Sequence, residues 1–321
     1  MQAFEYANPT SVKDAVALLG ATWNDAAVLA GGTDLLSMMK DYVASPKRVV
    51  NIKNIKELGG ISSKPGGVRI GATVTFDELA ANSQIRNSYP AIHAAVMGVA
   101  SPQIRNMGTV GGDLCQRPRC WYFRQGRGLF GMQEGKSLVE SGENKYHAIF
   151  QKGPGRFVSA SSLGPALVAL NAKISVTGKN GTRQIEAAQF FVDPKTEADR
   201  EIALGPGDIV TDVLLPAGTQ QKNATYEVRQ KDALDWPLVT ASVVLGSNWA
   251  KVVLGHVATT PVVSDKAAEM VKGKKMTVEL AEQAATAALE GAQPLSQNAY
   301  KVHLAKVAVK RALLAAGGVK A

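Results

Sequence analysis

The chain of 321 residues is 45% hydrophobic and 20% charged, which is typical of a folded globular protein long enough for two or three hydrophobic cores. Its 36 Lys and Arg residues outnumber its 27 Asp and Glu residues, but they are scattered rather than arranged in the stripe of a nucleic-acid-binding protein, so no nucleic-acid partner is expected. One basic cluster, Arg117, Arg119, Arg124 and Arg127, indicates a surface suited to an acidic partner or an anionic cofactor.

Residues 1–55 predict a first, small α/β lobe. Ser11 is placed to cap a helix that begins at Val12, and Thr33 is the candidate cap of the next helix. Strands and helices alternate along this segment, starting with a strand, at 4–9, 12–20, 26–30, 33–42 and 48–52.

Residues 56–220 predict a second lobe that contains a long loop at 115–157. The loop is expected because its residues from 124 onward are rich in glycine and charge and lack an apolar period, and loops of this length in compact domains are usually functional. Lys179-Asn180-Gly181 is a strong hairpin turn signal. The other predicted elements are a strand at 68–74, helices at 75–82 and 87–99, and a strand at 208–215.

Residues 221–321 predict a C-terminal α+β domain. After a strand at 225–231, the segment from about 237 to 263 alternates like an antiparallel meander. Three helices follow at about 264–272, 277–290 and 297–316, and strands followed by helices favour a sheet with helices on one face.

Two glycine pairs interrupt this pattern, in VLAGGTDLL (28–36) and TVGGDLCQRPRC (109–120). Paired glycines permit positive φ angles or a close approach of the backbone to a ligand. Each pair offers consecutive main-chain N–H groups in a form suited to phosphate oxygens. Either pair alone is an ordinary strand-to-helix corner, but together they predict a site for an extended diphosphate.

Other common chemistries lack their signatures in this chain. It contains no G-x-G-x-x-G that follows a strand, no P-loop, no G-x-S-x-G and no H-E-x-x-H. Its four histidines are isolated from one another, and two cysteines, Cys115 and Cys120, are too few for a disulfide scaffold or a four-thiolate site. No metal site is therefore expected. The start of the chain has no secretory signal and no apolar run approaches about 18 residues, so we expect no membrane insertion.

The two glycine motifs, LAGGTDLL (29–36) and ASPQIRNMGTVGGDLCQRPRCWYF (100–123), resemble the FAD-binding subunit of the molybdenum hydroxylase family, which includes xanthine dehydrogenase. The stretches CQRPRCWYFR and GENKYHAIF (142–150) are similar to the flavin subunit of three-subunit bacterial aldehyde oxidoreductases. The resemblance spans nearly the whole chain. It implies a two-lobed FAD-binding fold like that of vanillyl-alcohol oxidase (PCMH type), followed by an α+β domain of the CO dehydrogenase flavoprotein type.

The resemblance also implies which residues hold FAD. The first motif would wrap the pyrophosphate, the second would bind it from the other lobe, and the remaining positions would line the cleft, with Ile209 near the flavin ring. The expected cofactor-binding residues are Ala30, Gly31, Gly32, Thr33, Asp34, Leu35, Leu36, Ser101, Ile104, Thr109, Val110, Gly111, Gly112, Asp113, Ser162 and Ile209.

The chain departs from the family pattern at several of its positions. Many relatives have Asn at the position of Asp113, an S-D-L stretch in place of Ser161-Ser162-Leu163, and Lys at the position of Glu227. In the aldehyde oxidoreductase branch the long loop resembles a holder for a 4Fe-4S cluster with four cysteine ligands. Because only Cys115 and Cys120 remain, we expect this cluster to be absent and the two thiols to be buried packing residues rather than redox or metal ligands.

The resemblance implies an electron-transfer subunit with no catalytic residue of its own. Its FAD would take electrons from 2Fe-2S clusters on a small partner, reduced by the molybdopterin centre of a large partner, and pass them to an external acceptor. The overall reaction would be oxidation of an aldehyde to a carboxylic acid. Two alternatives stay open at this point: a free-standing flavin oxidoreductase, and a scaffold subunit without flavin. The chain would be cytoplasmic, or periplasmic by export with a partner subunit.

Overall fold

In the computed structural model the chain folds around three main β-sheets. The structure describes residues 1–99, 101–217, 222–232 and 234–320. The predicted boundary between the second lobe and the C-terminal domain, at 220/221, lies outside the described residues, as does Ala100 at the start of the second glycine-containing stretch. The mixture of helices and strands agrees with the predicted α+β class.

The first lobe is built on a parallel three-stranded sheet in the order β1-β3-β2. Parallel neighbours need crossover connections, and the two helices between the strands supply them. Ser11 caps the first helix, because its side chain accepts a hydrogen bond from the N–H of Asp14. The elements are β1 (Glu5–Ala7), α1 (Val12–Leu18), β2 (Ala26–Leu29), α2 (Leu35–Lys40) and β3 (Arg48–Asn51).

Thr33 is not the cap of α2, contrary to the prediction. The helix begins at Leu35, and Asp34 takes the N-cap position without a capping hydrogen bond from its side chain. The Asp34 carboxylate instead accepts hydrogen bonds from arginines of the second lobe, so a long-range contact replaces the local cap.

The second lobe is built on an antiparallel five-stranded sheet in the order β4-β5-β10-β8-β9. The hairpin predicted at Lys179-Asn180-Gly181 is confirmed: it joins β8 and β9, and Gly181 has a φ of +100°. The strands of this sheet are β4 (Ile61–Lys64), β5 (Gly67–Gly71), β8 (Lys173–Gly178), β9 (Gly181–Glu186) and β10 (Ile209–Pro216).

Short helices cover this sheet and carry the second glycine pair. Thr75 and Glu78 form a reciprocal capping box, which confirms the predicted start of that helix. The helix predicted at 87–99 begins at Pro90, because Asn87 and Ser88 end the preceding helix. The helices are α3 (Phe76–Ala81), α4 (Ser83–Ser88), α5 (Pro90–Met97), α6 (Pro102–Met107), α7 (Val110–Leu114), α10 (Gly164–Ala169) and α11 (Ala187–Phe190).

The predicted loop at 115–157 contains short elements and is anchored to the C-terminal domain. Asn298 donates hydrogen bonds of 3.1 Å to the carbonyls of both His147 and Ala148. The buried ammonium of Lys301 donates to the carbonyls of Tyr146, His147 and His256. The elements within the loop are α8 (Trp121–Arg124), β6 (Met132–Gln133), β7 (Lys136–Ser137) and α9 (Leu138–Ser141).

The C-terminal domain is an antiparallel sheet, β11-β12-β13-β14, whose two faces meet different partners. Alternate residues of β12 (Val239, Ala241 and Val243) pack against the C-terminal helices, whereas Val244 joins the core of the second lobe. The meander and the three helices predicted from the sequence are confirmed. The elements are β11 (Lys222–Val228), β12 (Val239–Leu245), β13 (Ala250–Gly255), β14 (Val262–Val263), α12 (Asp265–Val271), α13 (Val278–Ala287) and α14 (Tyr300–Gly317).

None of the helices within the described ranges combines the length and the apolar character needed to cross a membrane.

We expect Asn298→Ala to lower the free energy of unfolding by about 2–3 kcal/mol, because it removes the buried side chain that anchors the loop and leaves polar groups without partners. Urea unfolding of the purified chain measures this. Asn248→Ala, at an exposed turn position, is the control and should change stability by no more than about 0.5 kcal/mol. Equal effects of the two substitutions would contradict the anchoring role.

Candidate functional site

A cavity of about 420 Å³ lies where the two lobes and the C-terminal domain meet. This volume is within the usual range for small-molecule and cofactor sites. The first lobe contributes the end of β2 and the start of α2, the second lobe contributes α6, α7 and the segment before β10, and the C-terminal domain contributes the loop at 235–237.

All but three of the residues predicted to bind the cofactor line this cavity. Leu36 is instead 40% exposed, and Val110 is buried in the core of the second lobe. Ser101 is buried where its hydroxyl accepts a hydrogen bond from the N–H of Ile104, so it caps α6. The structure brings together Ala30, Gly31, Gly32, Thr33, Asp34, Leu35, Ile104, Thr109, Gly111, Gly112, Asp113, Ser162 and Ile209.

The first glycine pair presents free main-chain donors to the cavity. Within the described part of the chain, the N–H groups of Gly31, Gly32 and Thr33 donate to no protein acceptor. Gly32 has a φ of +74°, a conformation that favours glycine. Gly31 must be a glycine for a different reason. A Cβ at this position would collide with the carbonyl oxygen of Met107, so the two lobes touch here.

The second glycine pair does not present free donors, and that part of the prediction is wrong. The N–H of Gly111 donates to the carbonyl of Ala72 at 2.8 Å, and that of Gly112 donates to the Thr109 hydroxyl at 3.1 Å. A Cβ on Gly111 would lie 2.9 Å from that of Ala72. Gly111 therefore allows α7 to pack closely against the end of β5, whereas a Cβ on Gly112 would meet the Thr109 hydroxyl that caps the same helix.

Asp113 is a buried acid with a structural set of partners. Its carboxylate accepts hydrogen bonds from the Ser161 hydroxyl at 2.5 Å and from the N–H groups of Ser162 and Leu163 at 3.1 and 3.0 Å. The side chain of Gln116 adds a fourth donor. Burial raises the pKa of Asp113, and these hydrogen bonds act in the opposite direction. The acid at this position therefore faces protein donors that lead into α10.

Three of the four arginines of the predicted basic cluster gather around Asp34, whereas Arg127 is exposed. The Asp34 carboxylate accepts hydrogen bonds from the main-chain N–H of Arg117 and from the guanidinium of Arg124, both at 2.8 Å, and pairs with Arg119 at 3.1 Å. Arg117 in turn pairs with Glu201 at 3.0 Å. Arg117 and Arg119 line the cavity, so cationic groups lie beside the free donors of the first glycine pair.

Two arginine–tryptophan pairs complete the wall, and sequence analysis missed them. The Arg119 guanidinium carbon lies 4.5 Å from the ring centre of Trp236, and that of Arg200 lies 4.3 Å from the ring centre of Trp23. All four residues line the cavity. The partners in each pair are far apart in sequence, and no local pattern signals that they meet.

The two cysteines are half-buried and pack against hydrophobic clusters, and Cys115 also lines the cavity. Burial raises the pKa of Cys115 to about 12 and also raises the pKa of Cys120, so neither favours the thiolate needed for metal binding or redox chemistry. Cys120 Sγ lies 3.1 Å from His147 Nε2. Across the described residues, no three His, Cys, Asp or Glu side chains are grouped to hold a metal ion. The environment of the thiols supports the packing interpretation.

Comparison with known protein families matches the two parts of the chain separately. Residues 2–218 match the model of the FAD binding domain in molybdopterin dehydrogenase, and residues 224–316 match that of the CO dehydrogenase flavoprotein C-terminal domain. Both the recognised family resemblance and the fold class that it implied are confirmed.

Individual relatives match along nearly their whole length. The chain is 30% identical to the carbon monoxide dehydrogenase medium chain of Hydrogenophaga pseudoflava, over 98% of this chain and 96% of that one. It is 29% identical to the aldehyde oxidoreductase FAD-binding subunit PaoB of Escherichia coli, over 95% and 96%. A solved structure of the Hydrogenophaga pseudoflava carbon monoxide dehydrogenase superposes with a TM-score of 0.77 at 28% identity, covering 99% of this chain and 98% of that chain.

We expect Gly31→Ala to destabilise the chain by about 1–3 kcal/mol, because the added methyl group must push the first lobe away from Met107. Thermal unfolding without added cofactor measures the effect. The matched control is Gly59→Ala, where a Cβ would meet no atom closer than 3.5 Å and φ is −94°. If both variants unfold at the same temperature, the close contact between the lobes at Gly31 is not real.

Proposed function

Because the chain belongs to the family of FAD-binding subunits of molybdenum hydroxylases, we propose that it holds FAD between its lobes and relays electrons from a partner subunit to an external acceptor. The observation that carries this proposal is the row of unpaired N–H groups at Gly31, Gly32 and Thr33, which opens onto the cavity beside Arg117 and Arg119. A diphosphate needs such main-chain donors and nearby positive charge.

The electrostatics of the wall support an anionic ligand. Arg119 Nε is buried without a hydrogen-bond partner among the described residues, although its NH1 and NH2 groups have partners. Burial lowers the pKa of Arg119 from its ordinary value, but an arginine stays protonated at neutral pH. Although Nε itself is covered, the Arg119 side chain is 29% exposed and lines the cavity, so its positive charge lies where an anionic ligand would bind.

The apolar part of the wall suits the aromatic rings of a dinucleotide. Phe76, Ile104, Ile202 and Ile209 line the cavity together with Val28. Apolar surface with few placed polar groups is the usual composition of a cofactor site. In this proposal Ile209 lies near the flavin ring, and the main-chain donors of the first glycine pair hold the pyrophosphate.

The acids that line the cavity already have partners, which supports electron transfer rather than substrate chemistry. Asp34 and Asp113 have the partners described above. Asp208 pairs with Arg183, and Asp235 accepts from three main-chain N–H groups of its own loop. None of these lining carboxylates is free to act as a general base, which a free-standing flavin oxidoreductase with its own substrate would often need.

Membership of the family supports a proposal for the partners and the reaction. A bound flavin converts between one-electron and two-electron transfer, which suits a relay between iron–sulfur clusters and a final acceptor. We propose a small 2Fe-2S subunit and a large molybdopterin subunit as partners. The proposed substrate is an aldehyde, because the CQRPRCWYFR segment resembles the aldehyde oxidoreductase branch. The relatives named above act on different substrates, so a substrate panel is part of the test.

The purified chain should be yellow, with the two absorption bands of a flavin, and dithionite should bleach it without leaving a broad iron–sulfur shoulder. Arg119→Met should weaken FAD binding by about tenfold or more, because hydrogen bonds to charged groups contribute roughly 1.5–3 kcal/mol. Titration of the apoprotein with FAD, followed by fluorescence quenching, measures this. Arg127→Met, at an exposed position of the same segment, should bind FAD like the wild type.

A chain that takes up no FAD would support the scaffold alternative and contradict the proposal. A residual brown shoulder, with iron found by elemental analysis, would contradict the expected absence of a 4Fe-4S cluster.

We expect organic substrates to reduce the flavin only in the assembled complex, because the described carboxylates that line the cavity are already paired and the proposed molybdenum centre belongs to a partner. Affinity-tagged chain, purified anaerobically with its natural partners, should bleach on addition of an aldehyde, whereas the isolated flavin-loaded chain should not. Purines, N-heterocycles and carbon monoxide complete the panel. Bleaching of the isolated chain by one of these substrates would favour the free-standing oxidoreductase, and bleaching of the complex by a different class would replace the aldehyde assignment.

A further inference from the structure

The face of the C-terminal sheet that meets the FAD-binding lobes carries a buried acid that has no hydrogen-bond partner among the described residues. Glu227 lies on β11 directly opposite Thr240 on β12, and directly opposed residues of an antiparallel pair share a face. That face is polar: Asn223 and Ser242 are also buried on it, and Asn223 accepts a hydrogen bond from the N–H of Ala91 on α5. Glu227 is thus part of the interface between the domains.

The Glu227 carboxylate is buried and accepts no hydrogen bond from the described residues. Its side chain is 7% exposed, and among the described residues neither of its oxygens has a hydrogen-bond partner. The Nε of Arg229 lies 3.9 Å from Oε2, and the same guanidinium donates to the carbonyl of Gly98 at 2.8 Å. A buried carboxylate without donors is costly in its charged form.

Glu227 lies directly behind the wall of the cavity. Gly98 and Val99, which follow α5, both line the cavity, and a Cβ on Gly98 would collide with Glu227 Oε2. The bare backbone of Gly98 therefore lets the carboxylate reach the wall. Asp113, another residue of that wall, acts on Glu227 electrostatically.

This environment makes Glu227 able to change its charge near neutral pH. The pKa of Glu227 is raised to about 7, chiefly by burial; the charge of Arg229 lowers it and the charge of Asp113 raises it by smaller amounts. Other titratable groups on the packed elements are His93 on α5 and Arg105, which donates to the carbonyl of Val99 at 3.1 Å. His256 is a further one, and its Nδ1 lies 3.0 Å from the Thr240 hydroxyl. Burial lowers the pKa of His256 to about 3, so it stays neutral over the same range.

We propose that Glu227 takes up a proton from solvent when the flavin in this cavity gains electrons, and releases it when the flavin is reoxidised. The electrons come from the external reductant or the partner subunit, the proton forms an O–H bond on the carboxylate, and no bond to the flavin is made by Glu227. The inference rests on the proposed function, because it needs flavin in the cavity.

The physical reason is that the charge of the flavin and the protonation of Glu227 are coupled electrostatically through the protein interior, where the dielectric constant is low. Negative charge that develops on a reduced cofactor repels a nearby carboxylate and favours its protonated form. By reciprocity, protonation of Glu227 raises the reduction potential of the flavin. Through Glu227, the driving force of electron transfer would therefore depend on pH, although the residue does not contact the substrate.

The first test is the pH dependence of the flavin midpoint potential in the flavin-loaded chain, from about pH 5.5 to about pH 8.5, the range around the pKa of about 7. One additional proton per two electrons steepens the dependence by about 30 mV per pH unit, since a tenfold change in a two-electron equilibrium corresponds to 29.6 mV. We expect this steeper segment in the wild type and in Glu227→Asp, and its loss in Glu227→Gln. The control Glu290→Gln, at an exposed site on the C-terminal domain, should behave like the wild type.

The second test needs no variant and covers the case in which Glu227→Gln fails to fold or to bind FAD. Reduced-minus-oxidised infrared difference spectra of the wild type near pH 7 should contain a new carbonyl band of a protonated carboxyl group. Absence of this band, or identical slopes for the wild type and Glu227→Gln, would overturn the role of Glu227 and leave the proposed function intact. A chain that binds no flavin at all would overturn both.

Discussion

The Asp34 carboxylate is the contact on which the layout of the cavity depends, because it joins the first lobe to the segment that follows the second glycine pair. It pairs with two arginines and accepts a hydrogen bond from a main-chain N–H, although its side chain is only 13% exposed. A charge taken out of water is stable only where several donors compensate for its desolvation. Asp34 therefore fixes the arginines at the cavity wall, next to main-chain donors that remain free.

The two glycine pairs look alike in sequence but have different structural roles. Gly32 provides a left-handed turn and Gly31 a contact between lobes, and their N–H groups point to no protein acceptor. Gly111 and Gly112 occupy the first turn of α7, where their N–H groups are already paired. The asymmetry assigns the main-chain recognition of an anion to the first lobe, and leaves the second lobe to supply shape and charged side chains.

Local patterns were sufficient to predict most of the elements, because hydrophobic period and turn signals are local properties. The hairpin at Lys179-Asn180-Gly181 and the capping box at Thr75 are of this kind. The predictions failed where a residue far away in the sequence determines the local structure or contact. The Thr33 cap gave way to the arginine contacts of Asp34, and the pairing of Trp23 with Arg200 has no sequence signal. Family resemblance, rather than periodicity, pointed to the 13 predicted residues that line the cavity, which are a minority of its wall.

Two acids buried near the same wall differ in what they can do, and hydrogen bonding makes the difference. Asp113 has four donors, which fix the position of its side chain and offset part of the rise in its pKa that burial causes. Glu227 has no donor within the described residues and one arginine at 3.9 Å, so its charged and neutral forms differ little in free energy near neutral pH. A group in that state responds to any nearby change of charge. The fixed acid organises the fold around α10, and the unpaired acid is the one that a change in the cavity can titrate.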